Sequence, residues 1–418
     1  MKDSYKKRVL ILALFAGEIM LKAGAEIYRV EDTIVRICKA CRVDYVECFA
    51  TPTGITLSLD TVDDDTDMFT FIKRIHYTTI DLKKISLINQ FSRVFTSTDL
   101  SVADGMERLK AINAEKDYPY VLRLFGAILI GAFMVQYYGG GGIDMLWSAV
   151  ASGGAFLLST AIEKLHFPGF IRIFMSSAAC AFLVFTLSAA GLTHTVAPLL
   201  IAALTIFMPG VSITTAARDL LSGDMVSGIT KFAEAIIIAV AIAGGGGVVA
   251  KIWWASGLGL SGRGSYAYTL PLFLLFGALS TVGFCILFHA PWKQIPLIAL
   301  IGSAGMVSLE AGMRYGLGEI GSCFVGTCIV AILAEFASRA GRDATTVFIL
   351  PGIIPFVPGA LIYRTMDNVL KADYLGAAGE ASKTFLTAGS IAAALIVVAS
   401  LTRLTVAVIN RVNHKEAS

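Results

Sequence analysis

After Tyr120 the chain carries ten apolar stretches, each close to the length of about 20 residues that lets a helix cross the hydrocarbon core of a bilayer. They run from Val121 to Tyr138, Ile143 to Glu163, Phe170 to Ala190, Ala197 to Ala217 and Gly228 to Ala250. The second five run from Thr269 to His289, Ile295 to Gly312, Leu317 to Phe336, Thr345 to Met366 and Phe385 to Ile409. In lipid every backbone N–H and C=O must find a partner inside the protein, so such stretches fold as helices. A mean hydropathy of +0.73 with 56% hydrophobic residues, against about 45–50% in a typical soluble chain, excludes an ordinary soluble protein.

Phe207-Met208-Pro209-Gly210 recurs 149 residues later as Phe356-Val357-Pro358-Gly359, each late in its stretch. At that spacing Gly153 falls on Gly302, Leu221 on Leu370 and Asp224 on Asp373, and a two-residue shift sets Leu124-Phe125-Gly126-Ala127 on Leu275-Phe276-Gly277-Ala278. Similarities that return in order mark a duplicated unit. Five crossings per copy is an odd number, which leaves the second copy inverted relative to the first, an architecture that secondary transporters use to hold cargo near the midplane. The expected fold class is therefore an α-helical polytopic membrane protein of two inverted five-span repeats, preceded by a small α+β soluble domain. The expected domains are a cytoplasmic α+β domain over 1–120, a first five-span repeat over 121–262, and a second over 263–418 with a short cytoplasmic tail.

Charge marks the first boundary: residues 1–120 hold 35 of the 65 charged residues. Lys6-Lys7-Arg8 followed by an apolar run imitates a signal peptide, but Glu18 and Lys22 interrupt it and apolar positions continue at helical spacing to Ile37. Two core helices are expected there. Strands are expected over Val43 to Phe49 and Gly54 to Asp60 around the turn Thr51-Pro52-Thr53-Gly54, with a third over Met68 to Ile72 after the acidic turn Asp63-Asp64-Asp65 and Asp67. Helices return from Asp81 to Phe95 and Ser101 to Ala114, with Asp99 and Ser101 as caps. The seven cysteines form no disulfide ladder, and Cys38-x-x-Cys41 lacks the second pair or histidine of a metal site. No metal or cofactor is expected. The net charge of +3, without a basic cluster, gives no reason to expect nucleic acid.

Orientation follows from Lys and Arg in the short connections. Lys164, Arg172, Arg218 and Lys231 fall on the side of the soluble domain, so a multi-pass protein of the cell (inner) membrane with a cytoplasmic N-terminal domain is expected.

Proline lacks an amide hydrogen and clashes one turn back, so Pro209 and Pro358 should break the fourth and ninth spans. A new half-helix then begins, with its first amides exposed and its positive end facing the break, a setting that suits a carboxylate. The substrate-binding residues read from this are Pro209, Gly210, Val211, Ser212, Pro358, Gly359 and Ala360. The alternative is a pair of simple kinks. Glu234 and Glu335 are acids at depth in their spans, which makes them proton carriers or partners for a substrate cation, unless Lys231 and Arg339 neutralise them at the interface. Asp219 and Asp224 follow the first break and are assigned to gating or capping, or to a plain charged loop. Glu163, Arg172, Glu310 and Arg314 read as anchors near span ends.

These residues resemble the threonine/serine exporter (ThrE) family. Ala16-Gly17, Gly24-Ala25-Glu26, Arg29-Val30-Glu31, the Thr51 to Gly54 turn, the glycine run before Asp144, and Pro209-Gly210 with Arg218-Asp219, Gly223-Asp224 and Gly228 are similar to its N-terminal pattern. Phe356 to Gly359 followed by Tyr363 is similar to its C-terminal pattern. The resemblance implies a soluble segment plus ten spans, fused here in one chain, that exports threonine and serine or, as in two-chain members, succinate. The expected partners are a small carboxylate-bearing substrate, protons and the lipid bilayer, with homo-oligomerisation left open. Two other classes compete: a passive channel, and an intramembrane hydrolase using Ser152 or Ser177 with His194 or His289, which lacks a nucleophile-base context.

Overall fold

The computed structural model describes residues 2–43, 45–60, 69–193, 195–255, 266–341 and 343–416. The chain divides into two compact units, one of Met1–Tyr118 with the short segments Phe288–Trp292 and Ser338–Val347, the other of all remaining residues.

In the first unit, α1 (Lys2–Lys22) and α2 (Ile27–Ala40) precede strands β1 (Tyr45–Thr51), β2 (Gly54–Asp60) and β3 (Phe69–Arg74), followed by α3 (Leu82–Ser97) and α4 (Val102–Asn113). Ile27, Val30, Ile34 and Ile37 are buried along one stripe of α2, as an amphipathic helix requires. The antiparallel sheet has the order β1-β2-β3. Ile55, Leu57 and Leu59 alternate inward on its central strand. Thr51 pairs with Gly54, so Pro52 and Thr53 alone make the first turn. A Cβ at Gly17 would stand 2.9 Å from Ile34 Cγ1, which is why α1 lies so close to α2. Asp81 caps α3 by accepting from the Lys84 amide, and Ser101 rather than Asp99 caps α4. The acidic run at 63–67 lies outside the described residues.

The α3 start also fastens the two distant segments. A helix leaves its first amides without internal partners; those of Leu82 and Lys83 donate to the Phe288 and His289 carbonyls at 2.9 and 3.0 Å. Ser86 Oγ donates to Asp343 Oδ2 at 2.8 Å. Thr346 Oγ1 donates to Glu26 Oε2 at 3.0 Å.

The second unit is helical: α5 (Tyr120–Tyr137), α6 (Gly142–Lys164), α7 (Gly169–Ala189), α8 (Val196–Leu204), α9 (Gly210–Ser222), α10 (Met225–Ala255), α11 (Leu270–Leu287), α12 (Ile295–Arg314), α13 (Gly318–Gly341), α14 (Thr345–Ile353), α15 (Gly359–Leu370) and α16 (Tyr374–Glu416). The first residues of α14 and the last of α13 belong to the first unit. Eight helices among the described residues are long and apolar enough to cross a membrane, and two bent pairs raise the number to as many as 10. The chain is thus a mostly helical, polytopic membrane protein.

Each bent pair is a break at proline. After α8 a single 3-10 turn leads to Pro209, and the axis swings by 64° into α9; after α14 a matching 3-10 turn leads to Pro358 and a 44° swing into α15. The glycine runs serve packing and turns. Gly245 on α10 rests on the α7 backbone, where a Cβ would lie 3.0 Å from the Ala178 amide nitrogen. Gly126 of α5 and Gly283 of α11 cross with their backbones in contact, a Cβ at either standing 3.0 or 2.7 Å from the other's carbonyl oxygen. Small residues permit such approach between membrane helices.

Candidate functional site

The two breaks touch. A Cβ at Gly210 would lie 2.9 Å from Val357 Cγ1, and one at Gly359 would collide with the Met208 thioether. Just beyond, Ile213 and Ile362 share a buried cluster with Ala235 and Ala388. The groove over this cluster is lined by Phe232, Ala235 and Ala239 of α10 and by Ala381, Thr384 and Ala388 of α16, which follow them by 149 residues in each case.

The second break opens onto a cavity of about 790 Å³. Phe356 to Ala360 form one wall, continued along α15 by Tyr363, Arg364 and Asp367. Facing them are Gln136 to Gly139 at the end of α5, Pro198 and Ile201 of α8, Tyr266 to Tyr268 before α11, Glu310 and Arg314 at the end of α12, and Glu319 of α13. The connections among these walls all follow odd-numbered spans, so a chain crossing ten times places them at one end. A smaller, largely apolar cavity of about 340 Å³ lies on the other side of α15, bounded by α8 and α10, and Tyr363 and Asp367 line both.

Most charges in the larger cavity are already engaged. Arg314 meets Glu310 at 2.8 Å, donates to the Tyr268 carbonyl and stands 5.9 Å from the centre of the Phe273 ring. Asp367 is paired with Lys371. Arg364 and Glu319 have neither a hydrogen bond nor an ion pair within 4.0 Å among the described residues. Gln136 is 3% exposed, and its Oε1 also has no partner.

The sequence-derived residues divide in position. Pro358, Gly359 and Ala360 line the cavity. Pro209 and Gly210 are buried behind the break, and Val211 and Ser212 are half-buried on α9; none of the four lines the cavity. The Gly210 and Gly359 amides, expected to face a carboxylate, donate instead to the Met208 and Val357 carbonyls at 2.7 and 2.6 Å, closing a tight turn about each proline. The next amides, of Val211 and Ala360, have no backbone acceptor outside their helix among the described residues.

Asp219 is 3% exposed, accepts from Ser227 Oγ at 2.6 Å and meets Lys231 at 2.7 Å, fastening α9 to α10. Lys231, the sequence's partner for Glu234, is thus committed to Asp219, and Glu234 stands exposed on α10. Asp224 is half-buried at the start of α10, where its carbonyl accepts from Gly228. Glu335 is half-buried and engaged on α13, and neither it nor Glu234 lines the large cavity. Ser152 donates to the Ala127 carbonyl at 2.8 Å rather than to a base, and His194 lies outside the described residues.

Sequence reasoning gave no site role to Arg364, Glu319, Gln136 or the buried Asp144. One signal was present: Glu310–Arg314 and Asp367–Lys371 are complementary at i,i+4, whereas Glu319 has no cation three or four positions away. Asp144, 1% exposed, accepts from the Gly141 amide at 2.8 Å and from the Thr193 and Thr195 hydroxyls, binding the connection after α5 to that after α7. Burial, with Asp144 nearby, pushes the Tyr268 phenol above its ordinary range, so it remains a donor to the Gly140 carbonyl at 2.6 Å.

Comparison with known proteins adds the family. A family profile described as "Putative threonine/serine exporter" matches residues 11–253, and another described as "Threonine/Serine exporter, ThrE" matches 274–401. A "Probable threonine/serine exporter" of Mycobacterium tuberculosis is 23% identical over 378 residues, 87% of this chain and 70% of its own length. A protein of Haemophilus influenzae described as uncharacterized is 25% identical over 103 residues, 25% of this chain and 35% of its own length. No solved structure matches. With one profile spanning more than half of the sequence, the chain belongs to the threonine/serine exporter family.

Proposed function

We propose that this protein is a secondary transporter that exports small carboxylate-bearing metabolites, threonine and serine foremost, across the cell (inner) membrane. Its two five-span units are read as inverted copies, and its N-terminal α+β domain as cytoplasmic. Family membership supports export transport. The observation that carries the reading is the second break: a proline-interrupted span whose new half-helix begins at the wall of a large cavity that charged and polar side chains share with apolar ones. Broken helices at membrane depth persist where a cavity or cargo meets the freed backbone, and their N-termini suit anionic groups.

The contact between the breaks supports a two-fold relation between the two copies, which inverted repeats would have. In a two-fold arrangement, if one copy's Gly210 meets the other's Val357, the equivalent Gly359 must meet Met208, and both contacts are present.

Proton drive is part of the proposal, with Glu234 and Glu335 as the carriers and Asp219 and Asp224 at the gate. Both glutamates stand outside the large cavity's walls, so protonation there acts through helix movement rather than on the cargo.

Export of labelled threonine and serine from proteoliposomes tests the function. Accumulation of cargo against its own gradient under a proton gradient is expected. Flux that only runs downhill would assign the protein to passive channels, and no flux of either amino acid would end the reading. Glu234→Gln should slow proton-driven export while leaving exchange of cargo for cargo intact.

A further inference from the structure

Arg364 and Glu319 are charges of opposite sign that line one cavity, both exposed, with no hydrogen bond and no ion pair within 4.0 Å for either among the described residues. Water can hydrate each one, but the surrounding design is selective: the other cavity-wall acids and the other guanidinium are already paired. A dicarboxylate needs two free cations and the wall offers one. A zwitterion needs one free charge of each sign.

We propose that Arg364, Glu319 and Gln136 form a three-point site for a hydroxyl-bearing α-amino acid: the Arg364 guanidinium takes its carboxylate, Glu319 takes its ammonium, and Gln136 Oε1 accepts from its side-chain hydroxyl. The inference rests on the export reading and deepens it by naming what selects the cargo. Arg364 lies one helical turn after Ala360 on α15, so a carboxylate held by its fork is near the half-helix start that the cavity exposes. Gln136 supplies the third point because a buried acceptor without a donor penalises any cargo that cannot fill it. Valine, which replaces the threonine hydroxyl by a methyl group, would leave Oε1 empty.

The test measures KM in proteoliposomes for L-threonine, for L-valine and for 2,3-dihydroxybutyrate, which keeps the carboxylate and side-chain hydroxyl but lacks the ammonium. Glu319→Gln should raise the threonine KM by about tenfold or more, the worth of one charge-assisted bond, and leave dihydroxybutyrate unchanged. An unshifted thermal midpoint is the folding control for this variant. Arg364→Gln should weaken both acids alike, with an unshifted thermal midpoint as its folding control. Gln136→Leu should erase the preference for threonine over valine. Wild-type transport of threonine with unaltered KM in all three variants overturns the three-point site alone, as does equal weakening of threonine and dihydroxybutyrate by Glu319→Gln. Wild-type protein that moves neither threonine nor serine overturns the export reading, and this inference with it.

Discussion

Gly210 lies against the side chain of Val357, and 149 residues on, Gly359 lies against that of Met208, the residue 149 before Val357. The two contacts are related by the same offset along the sequence, but their chemistry differs. Val357 is β-branched and stiff, whereas Met208 ends in a flexible thioether that can turn aside.

Gly210→Ala should therefore destabilise the protein more than Gly359→Ala. Overpacking of this kind costs about 1–3 kcal/mol, and Val357→Ala should recover most of it when combined with Gly210→Ala. Thermal unfolding of the detergent-solubilised single and double variants measures this. Equal losses at the two glycines, or additive effects of Gly210→Ala and Val357→Ala, would show that the breaks do not press on each other.

The corners after the two half-helices also differ. Both share a main-chain bond, Asp224 N to Asp219 O and Asp373 N to Asn368 O, each 2.9 Å. Only the first adds the Asp219–Lys231 pair, because the positions 149 residues on carry Asn368 and Glu380. Asp219 and Lys231 side chains are 5% and 16% exposed, so removing one partner should cost about 3–5 kcal/mol. Hydrogen exchange should be slower at 219–228 than at 368–377, and Asp219→Asn should bring the two segments together. Unchanged exchange in Asp219→Asn would mean that the ion pair contributes nothing to holding this corner.

Much of this architecture was legible because its causes are local. Proline cannot continue a helix, so Pro209 and Pro358 marked the breaks, and the α2 stripe and the β2 alternation followed from their periods. Span ends were less legible: α16 begins at Tyr374, eleven residues before the apolar stretch, because polar helical turns project beyond it. The site was hardest to read. Arg314 has Glu310 four positions before it, but Arg364 also has an acid in reach of its own helix, Asp367 three positions on, and only the structure shows that acid paired with Lys371. Asp219 drew notice as a charge after a break, yet its buried position reflects Lys231 and Ser227 coming back from the next helix.

Acid should loosen the unit that contains α1. Burial alone would raise the Glu18 pKa, but Lys22 at 2.7 Å and Lys73 at 3.0 Å outweigh it and hold the carboxyl below its ordinary value of 4.5. A depressed folded-state pKa gives stability that is complete above the ordinary value and is lost as pH falls through the lowered one. Unfolding midpoints measured from pH 7 to about pH 3 should fall more steeply for wild type than for Glu18→Gln in the acid range. Parallel curves would remove Glu18 from the acid response.

Asp144 offers the sharpest test of a buried carboxylate that no cation meets among the described residues. Its carboxylate is held by the Gly141 amide and by the Thr193 and Thr195 hydroxyls, so three donors stand in for a counter-charge and bind two connections at one end of the bundle. A carboxylate only accepts; an asparagine in its place keeps one acceptor oxygen and presents two N–H donors, so a threonine hydroxyl must turn to accept one of them and the other finds no acceptor among these three groups. Asp144→Asn should thus cost more than a lost charge implies, on the order of 2–4 kcal/mol, since charge-assisted bonds contribute about 1.5–3 kcal/mol and a stranded donor adds its desolvation. Thr195→Val removes one donor and leaves the others in place, so it should cost about 1–2 kcal/mol. Thr195→Ser keeps the hydroxyl and should stay near wild type. Thermal midpoints of the purified variants decide the order, and Asp144→Asn no worse than Thr195→Val would show that the carboxylate's charge is not what joins the two connections.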